Sequence, residues 1–97
     1  NNIIWSSNHI GHGSKIADNC FISSHVVIGG NCNINDNCFM GVNSSLANNC
    51  NIGKECFIGM GSQINKNMAD GQTSTTNNTI IHDKDSKISR IIKKKFK

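Results

Sequence analysis

The chain has 97 residues and a formal net charge of +4, from ten Lys and Arg against six Asp and Glu. That length gives one small domain with a modest core. Five of the cations lie in "RIIKKKFK" at 90–97, and the rest of the chain is close to neutral, so a general nucleic-acid surface is not indicated.

No apolar run approaches the ~20 residues that a membrane span needs, and no signal-peptide pattern opens the chain. A cytoplasmic protein that needs neither nucleic acid nor membrane is expected. The first residue is Asn, and the pattern described next is already running by Ile4. The sequence therefore reads as the C-terminal part of something longer, or as a trimmed piece. Pro and Tyr are absent. Asn is abundant but carries little weight here, since nucleotide bias can produce it.

Every sixth residue from position 4 is aliphatic: Ile4, Ile10, Ile16, Ile22, Ile28, Ile34, Met40, Leu46, Ile52, Ile58 and Ile64. Two residues before each stands a small or medium side chain, often Cys, Ser or Asn. Gly or Ala follows the aliphatic in seven of the eleven units. A helix would repeat at three and four, and a half-buried strand at two. A period of six marks one short strand and one turn per unit, stacked as a parallel β-helix. Three such faces close a coil of eighteen residues, and coils stack at about 4.8 Å. The expected fold is therefore all-β, under four coils of hexapeptide repeats over residues 1–65. β-Branched residues suit the inward positions, and Gly or Asn after the aliphatic suits turns that need positive φ.

The five cysteines, at 20, 32, 38, 50 and 56, acquire meaning from this phase. Cys20, Cys38 and Cys56 are eighteen apart, as are Cys32 and Cys50, giving two inward columns of small apolar fillers. An odd count without a secretion signal favours free thiols, and no gap matches a zinc ribbon or finger. Asp18, Asp36 and Lys54 form another column, read as a solvated one.

Residues 66–97 are read as a polar loop and a basic tail. The stretch "NKNMADGQTSTTNNT" loses the period. Ile88, Ile91, Ile92 and Phe96 then offer a weak amphipathic pattern suited to capping one end of the prism. His82 is taken as structural or surface.

The stretch "INDNCFMGVNSSLANNCNIGKECFIGMGSQI" resembles the hexapeptide-repeat acyltransferases, and "SSNHIGHGSKIADNCFISSH" with "CFMGVNS" resembles their sugar acetyltransferase branch. That branch includes sialic acid O-acetyltransferases and N-acetyltransferases of nucleotide-linked amino sugars. The likeness covers residues 1 to 65. It implies a left-handed β-helix, a homotrimer, and acetyl-CoA as acyl donor to a sugar hydroxyl or amine. Left-handedness comes from the resemblance alone, since crossover connections are otherwise right-handed. Trimerisation also has a physical motive, because so short a prism leaves apolar surface for a partner to cover.

Three histidines stand in the repeat. The branch's general base is a His two residues after the inward aliphatic of an early coil, and His12 occupies that position. There, neutral imidazole takes a proton from the attacking acceptor. A backbone N–H of a neighbouring coil would meet the oxyanion. In the amino-sugar N-acetyltransferases an acid follows the base directly; here that residue is Gly13, so the orienting group must come from elsewhere. The plain alternative for His12 is a solvent-facing turn residue.

His9, Trp5 and His25 are the candidate acceptor contacts. Gly30, Gly41, Val42, Gly59 and Met60 match the family's cofactor groove, although the glycines also suit ordinary repeat turns. Lys93, Lys94 and Lys95 are candidates for CoA phosphates. No metal is expected: His9, His12 and His25 differ by 3, 13 and 16 positions, unlike the zinc spacing of β-helical carbonic anhydrases. The other class of reading is a non-catalytic trimeric assembly module, or an inactive fragment of a larger enzyme.

Overall fold

A computed structural model describes residues 1–77, 79–81 and 87. The proposed cap at Ile88, Ile91, Ile92 and Phe96, together with His82 and Lys93 to Lys95, lies outside the described residues.

Each hexad forms one two-residue strand. In chain order these are β1 (Ile3–Ile4), β2 (His9–Ile10), β3 (Lys15–Ile16), β4 (Phe21–Ile22), β5 (Val27–Ile28) and β6 (Asn33–Ile34). They continue as β7 (Phe39–Met40), β8 (Ser45–Leu46), β9 (Asn51–Ile52), β10 (Phe57–Ile58), β11 (Gln63–Ile64) and β12 (Thr73–Ser74). All pairings are parallel, and within the repeat each residue pairs with the one eighteen further on, as Ile4 with Ile22 and Ile22 with Met40. The strands sort into three sheets: a first face of β1-β4-β7-β10-β12, a second of β2-β5-β8-β11 and a third of β3-β6-β9. The result is a three-faced solenoid of about four turns, as the period requires.

Ile22, Ile28, Ile34, Met40, Ile52 and Ile58 are fully buried in the core. Each fully buried aliphatic of this size stabilises by about 1.5–3 kcal/mol relative to exposure. The cysteine columns are buried and unpaired, as filler residues should be. Their thiols also bond the coil above: Cys20 Sγ donates to Asn35 O at 3.2 Å, Cys38 Sγ to Gly53 O at 3.0 Å and Cys56 Sγ to Ala69 O at 3.1 Å. Where the column begins with Asn or Ser, the side chain also accepts a backbone N–H, and Ser14 Oγ donates to Gly29 O at 2.6 Å as the thiols do. Asn8 Oδ1 takes the Val26 N–H at 2.7 Å, and Ser14 Oγ takes the Cys32 N–H at 2.9 Å.

The turns correct one expectation. Positive φ falls three residues after the inward aliphatic, at Asn19, Asn31, Asn37, Asn43 and Asn49 among others, with φ between 57 and 64°. Asn tolerates this left-handed conformation because its short polar side chain bonds locally. The asparagines discounted as compositional bias therefore have a conformational purpose. The glycines directly after the aliphatic have another reason: a Cβ on Gly41 would lie 2.5 Å from Met60 N, and one on Gly11 2.5 Å from the Gly29 carbonyl carbon. Stacking, not φ, excludes a side chain there.

The stretch after Ile64 adds more to the solenoid than a loop would. Met68 takes the next inward position, buried and bridged to Ile52, and Ser74 follows six residues later in β12. The period thus resumes after a step of four residues instead of six. Asp36 does not pair with Lys54; its Oδ1 accepts the Asp18 N–H at 3.0 Å, and Asp70 Oδ1 accepts the Lys54 N–H at 2.7 Å. Among the described residues, no helix is long and apolar enough to cross a membrane.

Candidate functional site

The outward position of each strand gives the three faces different chemistry. The first face carries Ile3, Phe21, Phe39 and Phe57; the second His9, Val27, Ser45 and Gln63; the third Lys15, Asn33 and Asn51. Trp5, just after β1, meets the Phe21 ring at 5.5 Å and 59°. Phe21 and Phe39 then stack at 5.3 Å and 15°, and Phe39 and Phe57 at 4.8 Å and 6°. Because the rings lie one above another like coins, they turn their edges, not their faces, towards solvent.

Beside this ladder runs an open groove of about 370 Å³ along the corner between the first and second faces. Trp5 closes one end and Met60 the other, with Phe39, Phe57, Gly41 and Val42 between them and Ser23 and Ser24 as the polar members. No charged side chain lines it. The apolar members stay on the surface because they occupy outward and turn positions that stacking cannot bury; Met60 is 67% exposed and Trp5 58%.

Val42 and Met60 also form the border of a second depression of about 240 Å³, whose other walls are Asn43, Gly61, Thr76, Asn77 and Thr79. Four of its five other walls carry a hydroxyl or amide side chain, and Thr76 Oγ1 already donates to Met60 O at 3.1 Å. The corner therefore divides an apolar groove from a more polar one along a shared Val42–Met60 ridge. A third hollow, at the end where the period breaks, is lined by Gln63, Asn65, Lys66, Asn67 and Gln72 among others.

Trp5, Gly41, Val42 and Met60 are thus brought together, and Gly59 sits directly above Gly41, within 2.9 Å of where its Cβ would be. His25 shares their corner: it follows Ser24, which lines the groove, and its N–H bonds Ser6 O at 3.3 Å one coil below. His25 is exposed and adopts φ 58°, the left-handed turn conformation.

His12 and Gly30 group elsewhere. They stack on the corner between the second and third faces, where His12 O accepts the Asn31 N–H at 2.9 Å and lies 3.4 Å from a Cβ placed on Gly30. His9 lies between the two corners, on the second face opposite Val27. All three imidazoles are exposed. Within one chain, a whole face separates His12 from the groove. Among the described residues, no group of three or more His, Cys, Asp or Glu is placed to hold a metal ion.

Phe39, Phe57, Ser23, Ser24, Asn43 and Thr76 were not foreseen as site residues. A signal for the ladder was present, since Phe21, Phe39 and Phe57 are eighteen apart at the position before the inward aliphatic.

Burial pushes the Cys38 thiol up to about 11, reinforced by the thiols of Cys20 and Cys56 above and below it. Cys50 is raised too, by burial and then by Cys32. Thiols held protonated inside the core are poor nucleophiles. They do not take part in the groove's chemistry.

Among solved structures, the chain is similar to serine acetyltransferase isoform 3 of Entamoeba histolytica, crystallised with cysteine. The TM-score is 0.50 and the identity 16%, over 92% of this chain and 40% of that one. The fold is that of the left-handed β-helix acyltransferases. Serine acetyltransferase 1 of the same organism, crystallised with L-cysteine, aligns over 76% of this chain and 38% of its own at 14% identity and a TM-score of 0.44. The chain thus spans about 40% of the length of the first of these structures. No family model matches the sequence, and no curated protein does.

Proposed function

We propose that the chain is the β-helical part of a CoA-dependent acyltransferase that moves an acetyl group from acetyl-CoA to a hydroxyl or amine of a sugar or nucleotide-sugar. The observation that carries this reading is the polarity step across Val42 and Met60. A CoA thioester has an amide-bearing pantetheine arm on one side of its sulfur and an apolar acyl group on the other. Asn43, Thr76 and Asn77 offer the arm hydrogen-bonding groups, while Gly41, Val42 and the ring edges meet the acyl end. Fixing both sides of the thioester supplies the orientation that acyl transfer needs.

In this reading His12 is the general base. It accepts the proton of the acceptor as oxygen or nitrogen attacks the thioester carbonyl. The C–S bond breaks, and the leaving thiolate takes the proton from the imidazolium. Because a face separates His12 from the groove in one chain, the reading requires a homotrimer in which one subunit presents His12 to the groove of its neighbour. Trp5 and His9 are then the acceptor contacts, and the setting is cytoplasmic.

A second reading for the base has its own support. His25 stands on the groove's corner within the same chain, next to Ser24. It needs no second subunit to reach the ridge.

Titration of acetyl-CoA into the purified chain by calorimetry, after light scattering has given its mass, tests the proposal. Saturable binding in the ~1 μM to 1 mM range usual for substrates supports it. A well-formed oligomer that binds no CoA thioester would leave a non-catalytic assembly module.

A further inference from the structure

The apolar groove is longer and more hydrocarbon-like than an acetyl group requires. It crosses the coils of Trp5, Ser24, Phe39 and Phe57, three steps of about 4.8 Å, or roughly 14 Å along the axis. Its volume of about 370 Å³ falls in the ~300–1,000 Å³ range of sites that hold whole drug-sized ligands. A two-carbon acyl group leaves most of it to water.

Charge and polarity narrow the choice of occupant. No formal charge lines the groove, and only Ser23 and Ser24 bring hydroxyls, so a phosphate, a carboxylate or a sugar ring finds few partners there. The stacked Phe39 and Phe57 rings, 6° apart, present edges to the groove, while Trp5, tilted 59° from Phe21 and 58% exposed, closes its far end. Ring edges and the flexible thioether of Met60 instead suit an alkyl chain of variable length. The groove is continuous, through Val42 and Met60, with the polar depression suited to pantetheine.

We infer that the donor is a CoA thioester with an acyl chain longer than acetyl, whose tail lies along the groove from Met60 towards Trp5. This rests on the acyltransferase reading, replaces its acetyl donor, and gives Trp5 to the acyl tail, leaving His9 as the acceptor contact. The transfer balances as before: the acyl carbon exchanges its bond to sulfur for one to the acceptor's oxygen or nitrogen, and the displaced proton ends on the CoA thiol.

Calorimetric dissociation constants for CoA and for acetyl-, butyryl-, hexanoyl- and octanoyl-CoA test the inference without knowledge of the acceptor. A methylene half-removed from water is expected to tighten binding about two-fold, so octanoyl-CoA should bind tens of times more tightly than acetyl-CoA. Phe57→Ser, at the exposed end of the ring ladder, should flatten that dependence and leave CoA itself bound as before. Acetyl-CoA binding as tightly as octanoyl-CoA, or more so, overturns the inference while the acyltransferase reading stands. No binding by any thioester or by CoA overturns both. Undiminished chain-length dependence in Phe57→Ser, at an oligomeric mass unchanged by light scattering, would likewise overturn the inference.

Discussion

The rings of Phe39 and Phe57, eighteen residues apart, lie 4.8 Å from centre to centre and within 6° of parallel. That spacing is the separation of adjacent β-strands, so the solenoid's own rise sets the stack. Truncation should therefore cost more inside the ladder than at its end. Phe39→Ala loses ring contacts on both sides and should destabilise by about 2–3 kcal/mol. Phe57→Ala, already 45% exposed, should lose about 1 kcal/mol. Urea titrations of the two variants measure the difference, and equal losses would mean that the stack contributes little.

A glycine directly after an inward aliphatic and one a residue later offer a sharper contrast. A Cβ on Gly41 would fall 2.5 Å from Met60 N, whereas one on Gly30 has nothing nearer than His12 O at 3.4 Å. Gly41→Ala should cost about 2–4 kcal/mol by forcing adjacent coils apart, and Gly30→Ala only a few tenths. Thermal melts should separate the two by about 7 °C or more, at roughly 4–8 °C per kcal/mol for a domain of this size.

Glu55 occupies a turn position where φ is 58°, a conformation that disfavours most L-residues. Glu55→Asn should raise stability by about 0.5–1 kcal/mol, since Asn already fills the equivalent turns at Asn19 and Asn37. A lower melting temperature for the variant would show that the Glu side chain contributes something beyond its backbone.

The raised Cys38 thiol gives the stability a dependence on pH. In the unfolded chain this thiol ionises near its ordinary value of 9.0, and in the folded chain only near about 11. Between those values the unfolded state binds fewer protons than the folded state, so stability falls as pH rises through that window. Below pH 9 the contribution is fully present. Urea midpoints measured from pH 8 to 10.5 should decline, and less steeply in Cys38→Ala, with the residual slope including Cys50. An identical decline in both proteins would contradict the assignment.

The histidines can be separated without disturbing the fold. His25→Asn keeps a residue that accepts φ near 58°, and His12 stands at an exposed turn. Once an acceptor is in hand, loss of the general base should lower turnover by about 10²–10⁴-fold. If His12→Ala produces that loss and His25→Asn only a few-fold one, the base comes across a subunit boundary. The reverse pattern assigns it to the groove's own corner.

The pattern of residues determined the solenoid. Aliphatics at a strict six-residue interval and small fillers two places earlier specify which side chains point inward. They do so locally, through strand alternation and turn geometry, so three faces and an eighteen-residue coil could be read directly. The same columns showed why Cys20, Cys38 and Cys56 need no partner. Trp5, Gly41, Val42 and Met60 were named through the family resemblance, which the repeat phase by itself does not supply.

What only the tertiary structure decided was the groove. The eighteen-residue coil already assigns His25, Val42 and Met60 to one corner and His12 to another; the structure adds that the first corner opens as an apolar groove between Trp5 and Met60. The glycines that directly follow five of the aliphatics were read as a φ requirement, yet the constraint is the backbone of the next coil. Met68 entered the core through a four-residue step because a buried apolar side chain outweighs a regular count. Spacing within the chain fixes local conformation; contacts between coils fix which groups meet.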